Sequence, residues 1–120
     1  MQNDLTQKKM NKLLPVAYLC ILFAVPPRIV KGPYIQNLTE NSVTICWHTD
    51  GPANSRVLYG LRMNQLNGAI FNNQQLTDHY ITLSNLEPGT RYFYSFGSSG
   101  ARLQADSTQH FTTGLKKNKK

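Results

Sequence analysis

Cysteine is scarce in these 120 residues, with only Cys20 and Cys46 present. A disulfide framework needs its cysteines retained in the mature chain, so this pair does not read as the staple of a small fold. Acidic residues are also few, 6 Asp and Glu against 13 Lys and Arg, for a formal charge of +7. Such an excess usually points to phosphate polyanions or membrane surfaces. Its distribution points elsewhere. Lysine is absent from Tyr34 to Gly114, where Arg56, Arg62, Arg91 and Arg102 stand against Glu40, Asp50, Asp78, Glu87 and Asp106 for a balance of −1. The remaining charge sits at the ends, +4 in residues 1–33 and +4 in residues 115–120. No nucleic-acid partner is expected.

A long hydrophobic run is lacking too. The stretch Leu13 to Val25 has 13 residues, against the roughly 20 that a bilayer-spanning helix needs. It follows Lys8, Lys9 and Lys12, which is the layout of a secretory signal: a basic region, then a short apolar one. Residues 1–28 therefore read as a signal peptide, and Cys20 would be lost with it. No Ala-x-Ala cleavage site follows, and Pro26-Pro27-Arg28 closes the run, so an uncleaved signal anchor is the alternative and the only membrane contact expected. Leu19 before Cys20 is not the small residue of a lipoprotein site. The expected location is secreted, extracellular or periplasmic.

Amphipathic helices of useful length are missing as well. Past Gly32 the sequence alternates in short runs separated by turn residues every ten or so positions, which is the pattern of an all-β sandwich. Tyr34 to Leu38 is the first run. In Ser42 to Thr49, the residues Val43, Ile45 and Trp47 share one face and Thr44, Cys46 and His48 the other. Trp47 belongs to the core face, leaving Cys46 and His48 to point outward. Asp50-Gly51-Pro52 is expected to turn the chain, and Ser55 to Gly60 follows as a strand with Val57 and Tyr59 on one face.

Leu61 to Asp78 is rich in Asn and Gln. It is expected to hold at most two short edge strands, with Asn67-Gly68 as a hairpin-like pair and Ala69 to Phe71 as a short apolar run. His79, Ile81 and Leu83 then share a face, as do Tyr92, Tyr94 and Phe96. Gly97-Ser98-Ser99-Gly100 reads as a flexible hairpin loop. A last strand near Thr108 to Thr113 points Phe111 inward. The domain spans residues 29–114, and residues 115–120 form a basic tail.

The strongest local signal is Leu83-Ser84-Asn85-Leu86-Glu87-Pro88-Gly89-Thr90-Arg91-Tyr92, a tight corner followed by a tyrosine. It resembles the corner that links the two sheets of fibronectin-type-III domains, where a buried tyrosine gives its hydroxyl to nearby backbone. The resulting expectation is a fibronectin-type-III or immunoglobulin-like sandwich of two sheets and about seven strands. Its structural residues would be Trp47, Tyr59, Leu86, Pro88, Gly89, Tyr92, Tyr94 and Phe111.

Catalytic constellations do not appear. No serine sits in a Gly-x-Ser-x-Gly turn, and Cys46 has no histidine assigned to it. His48, His79 and His110 fall on separate strands without acid partners at ligand spacing, so no metal site is expected. Asn37-Leu38-Thr39 fits a glycosylation sequon, a triplet that also arises often by accident.

Taken in order, several blocks resemble the N-terminal domain of purple acid phosphatases. They are Gly32-Pro33-Tyr34-Ile35-Gln36, Ser42 to Thr49, Val57-Leu58-Tyr59-Gly60, Leu86 to Tyr94 and Phe111-Thr112-Thr113. In that family such a domain precedes a metallophosphoesterase domain, whose two metal ions (Fe with Fe, Zn or Mn) hydrolyse phosphate monoesters. The resemblance implies a non-catalytic accessory domain with that catalytic domain as its partner. The family's Asp-x-His, Gly-Asp-x-x-Tyr, Gly-Asn-His-Glu and Gly-His-x-His motifs are absent, so this chain is expected to hold no cofactor and not to be an enzyme alone. After Gly114-Leu115 it runs into lysines where relatives continue to the first metal-binding Asp, which raises the expectation of a truncated or split gene product. A stand-alone adhesion or glycan-binding module, with Tyr80 and Phe93 as contacts, is the rival reading.

Overall fold

The computed structural model describes residues 27–99 and 109–117. The leader with Cys20, the loop from Gly100, the start expected for the last strand at Thr108 and the final three tail residues lie outside the described residues. Among the described residues the fold has five strands: β1 (Ile29–Gln36), β2 (Val43–Gly60), β3 (Gly68–Leu83), β4 (Arg91–Gly97) and β5 (His110–Thr112). Among the described residues no helix is long and apolar enough to cross a membrane.

All pairings are antiparallel. β2 is the central element, flanked by β1 and β3 along its first half and by β3 and β4 along its second, with β5 on β4. The register between β2 and β3 shifts between His48 and Ala53 and again between Ala53 and Ser55. These irregularities let one curled sheet fold over on itself, because a bulged strand bends and twists more sharply there. The first arm of β2 thus faces β4 without pairing to it: Trp47 meets Phe96 with ring centroids 5.4 Å apart.

Period-two alternation fills the space between the arms. Val43, Ile45 and Trp47 come from the first arm of β2, Val57 from the second, Ile81 and Leu83 from β3, Tyr92, Tyr94 and Phe96 from β4, and Phe111 from β5. All are buried, together with Leu86 from the corner. The half-buried Tyr59 packs against this cluster, its ring tilted at 6.4 Å from Tyr92.

Several expectations need correcting. There are five continuous strands among the described residues rather than about seven, since Asp50-Gly51-Pro52 lies within β2 and does not end it. The Asn- and Gln-rich stretch is not a pair of short edge strands but most of the 16-residue β3. Its backbone is held by β2 over nearly the whole length, and this pairing does not depend on apolar side chains. The hairpin turn falls at Met63-Asn64, closed by Gln65 N–H donating to Arg62 O at 3.0 Å. Asn67-Gly68 instead leads into β3, where Gly68 lies beneath the Tyr59 ring. Gly97 belongs to β4, and both it and Ser98 are buried rather than free in a loop.

β1 begins earlier than expected, at Ile29, and is broken by register shifts on either side of Lys31. Gly32 explains the tight approach there. Its φ of +100° is one that L side chains rarely adopt, and an added Cβ would stand 2.9 Å from the Cys46 carbonyl oxygen.

Candidate functional site

The corner after β3 is a densely bonded connection. Glu87 N–H donates to the Tyr92 hydroxyl at 2.9 Å, while the tyrosine ring is buried against Phe111 at 5.6 Å. Leu86 N–H reaches Asn41 O, and Thr90 Oγ1 donates to Pro88 O. Gly89 adopts φ +59°, the left-handed turn conformation that glycine takes at no steric cost. Thr113, at the end of β5, closes the unit. Its hydroxyl accepts from Thr90 N–H at 2.9 Å and donates to Glu87 O at 2.6 Å. The chain then passes Thr39 and Glu40, held by Gly114 N–H to Thr39 O and by Lys117 N–H to the Glu40 carboxylate. Every one of these bonds fixes backbone, and none leaves a reactive group presented.

His79 is the polar centre of the core, only 1 % exposed. Its ring stacks on Trp47 at 4.9 Å with the planes 3° apart. Nε2 lies 2.9 Å from Thr49 Oγ1 and Nδ1 lies 2.7 Å from Ser55 Oγ. The Thr49 hydroxyl already donates its proton to Gly51 O at 2.7 Å. It has no second proton, so His79 Nε2–H donates to Thr49 and Nδ1 accepts from the Ser55 hydroxyl. This network fixes the neutral tautomer. Burial pushes the His79 pKa below 6.5; Asp78 nearby pulls it up and His48 pulls it down, each less strongly than burial acts. The sequence pattern placed this histidine on one face with Ile81 and Leu83, and gave no sign of its burial or of the two hydroxyls that satisfy it.

On the outer face the strand register brings together residues far apart in the chain. Tyr34, Cys46 and Tyr80 form one row across β1, β2 and β3; Gln36, Thr44 and Thr82 form the next. Lys31, His48 and Asp78 form a third, on the other side of the tyrosines. The Thr44 and Thr82 hydroxyls are 2.9 Å apart, and His48 Nδ1 is 2.6 Å from Asp78 Oδ1. This pair corrects the expectation that the histidines lack acid partners, since β3 delivers Asp78 opposite His48 across 30 residues of sequence. Cys46 also departs from expectation. It lies on the outer face as the alternation requires, yet it is 4 % exposed, flanked by two tyrosines. Burial pushes its thiol pKa up, away from the thiolate a nucleophile needs.

Tyr80 and Phe93, paired as contacts in the rival reading, are not brought together. Tyr80 is exposed and opposite Cys46, whereas Phe93 is half-buried on β4, opposite Gly60 and edge-on to His110 at 5.9 Å. A dinuclear metal centre does not fit these residues. Among the described residues no three His, Cys, Asp or Glu side chains come together. His79 has both ring nitrogens engaged, and the lone His48–Asp78 couple supplies one imidazole and one carboxylate.

This arrangement defines first a class: a small antiparallel β-sandwich whose polar bonds are spent on its corner and core. Solved structures share that fold, among them these two. One is a computationally redesigned β-sandwich protein, 21 % identical, covering 78 % of this chain and 98 % of its own, with a TM-score of 0.51. The other is the sensor domain of the anti-sigma factor RsgI4 of Pseudobacteroides cellulosolvens, also 21 % identical, covering 79 % and 96 %, with a TM-score of 0.51. Among curated proteins none matches the sequence. The chain belongs to the purple acid phosphatase N-terminal domain family, whose profile matches residues 33–113.

Proposed function

We propose that this chain is the non-catalytic accessory domain of an exported purple-acid-phosphatase-like metallophosphoesterase, a scaffold that packs beside a domain carrying the metal pair. The match over residues 33–113 carries the reading. Within that span, the side chains of the blocks that carry the resemblance are the ones that build the sandwich: Trp47 and Tyr94 in the core, Tyr92 in the corner, Phe111 against it and Thr113 closing it. Hydrolysis of phosphate monoesters would then belong to the partner domain, and this one would orient or brace it. Export is supported by the basic-then-apolar layout of residues 1–28.

The test is reconstitution. The chain is mixed with a purple acid phosphatase catalytic domain stripped of its own N-terminal domain, and complex formation is followed by sedimentation velocity and by the melting temperature of the catalytic domain. The expected result is a one-to-one complex with raised melting temperature. Two independently sedimenting species, with the catalytic domain melting as it does alone, would refute the proposal.

A further inference from the structure

We infer that Asn37 is an N-glycosylation site, carrying one oligosaccharide on its side-chain nitrogen where the chain leaves β1. The triplet Asn37-Leu38-Thr39 has the acceptor pattern, with a residue other than proline in the middle. Geometry sets this asparagine apart from others. Asn54 exchanges two hydrogen bonds with Ser99, Asn72 accepts from Gln74 N–H, and Asn41 Oδ1 accepts from the Thr39 hydroxyl. The Asn37 carboxamide makes no hydrogen bond among the described residues, and Asn37, Leu38 and Thr39 are all exposed. Its φ of +54° is the left-handed conformation that asparagine tolerates better than most residues, and it takes the chain out of β1 into the turn toward β2. Asn37 takes no part in the corner after β3, the His79 bonds or the core cluster, so a bulky hydrophilic substituent there leaves them intact.

The Thr39 hydroxyl is the second part of the acceptor pattern. In the folded chain it accepts from Ser42 N–H at 3.0 Å and Asn41 N–H at 3.2 Å and lies 2.7 Å from Ser42 Oγ, so it is engaged in its own turn. Transfer therefore falls on the nascent chain, before that turn closes. The donor is a lipid-diphosphate-linked oligosaccharide, delivered by a membrane-bound transferase of the secretory route. Asn37 Nδ2 bonds to the anomeric carbon as the bond from that carbon to the diphosphate oxygen breaks. Nδ2 gives up one proton and the lipid diphosphate leaves, with no change of oxidation state. The inference rests on the export half of the proposed function and not on the catalytic partner.

The experiment is cell-free translation of the full chain with endoplasmic-reticulum microsomes, read by gel mobility, protease protection and endoglycosidase H. The expected product is protected from protease, migrates one oligosaccharide step slower and returns to the unmodified position with the endoglycosidase. Asn37→Gln and Thr39→Ala should each lose the step entirely, Thr39→Ser should keep it, and Asn41→Gln, outside the triplet, should leave it unchanged. Because transfer precedes folding, these readouts do not depend on the stability of the variants. A protected product without the step would overturn the site while leaving export standing. A step that survives Asn37→Gln would overturn it as well. A product fully open to protease would refute the export reading, and the site with it.

Discussion

Replacing His79 with phenylalanine tests the buried network through its response to acid. The new ring keeps a stacking partner for Trp47 but removes the acceptor of the Ser55 hydroxyl, which is fully buried. Thr49 loses a donor yet still gives its proton to Gly51 O. One unsatisfied hydroxyl costs about 1–3 kcal/mol, so at about pH 8 the variant should be less stable than the parent by that amount. Acid changes the balance. The folded-state pKa of His79 lies below its unfolded value of 6.5, so between those two values the unfolded chain binds more protons and stability is lost as the pH is lowered. The stabilisation from a neutral His79 is fully present above 6.5 and is withdrawn at up to about 1.4 kcal/mol per pH unit below it, until the folded form also protonates. In structural terms, a proton on Nδ1 would meet the Ser55 hydroxyl and force it to turn away from its only acceptor. Phenylalanine cannot titrate. Urea denaturation of both proteins from about pH 8 to about pH 5 isolates the residue, because every other group cancels in the difference. The gap between parent and variant should close as pH falls. A gap that stays constant would refute the assigned tautomer and its neutral state.

Three further changes probe the frame. Trp47→Ala should cost about 3–5 kcal/mol through the cavity it leaves, much of the roughly 5–15 kcal/mol a domain possesses, and thermal melting by circular dichroism should show it. Tyr92→Phe removes the hydroxyl that Glu87 N–H donates to; a loss of about 1 kcal/mol would lower the melting temperature by about 4–8 °C. Gly32→Ala introduces a side chain at φ +100° against the Cys46 carbonyl, and the strain of about 1–3 kcal/mol should appear as an earlier urea midpoint with unchanged slope.

Much of the architecture was legible because it depends on period-two burial within single strands. Trp47 with Val43 and Ile45, Tyr92 with Tyr94 and Phe96, and His79 with Ile81 and Leu83 each share one face as their spacing requires, and all are buried. The corner was legible for another reason: its turn residues and its tyrosine lie within ten positions of one another. What escaped the sequence is set between strands. Cys46 is buried by Tyr34 and Tyr80, and Asp78 reaches His48, only because β1, β2 and β3 pair in one register. β3 itself was hidden, since Asn72 to Gln75 offer no apolar alternation, and β2 pairs only with Asn72 and Leu76 across that irregular stretch. The outer face of β1, β2 and β3 is assembled from such cross-strand rows, so no local motif announces it.

The most direct test of the central claim is an assay of the purified full chain for p-nitrophenyl phosphate hydrolysis, with iron, zinc or manganese added and then chelated. An accessory sandwich whose polar groups serve its own corner and core is predicted to show no metal-dependent turnover above the metal-only control. Turnover that rises with added metal, disappears with chelator and copurifies with the folded chain would contradict it.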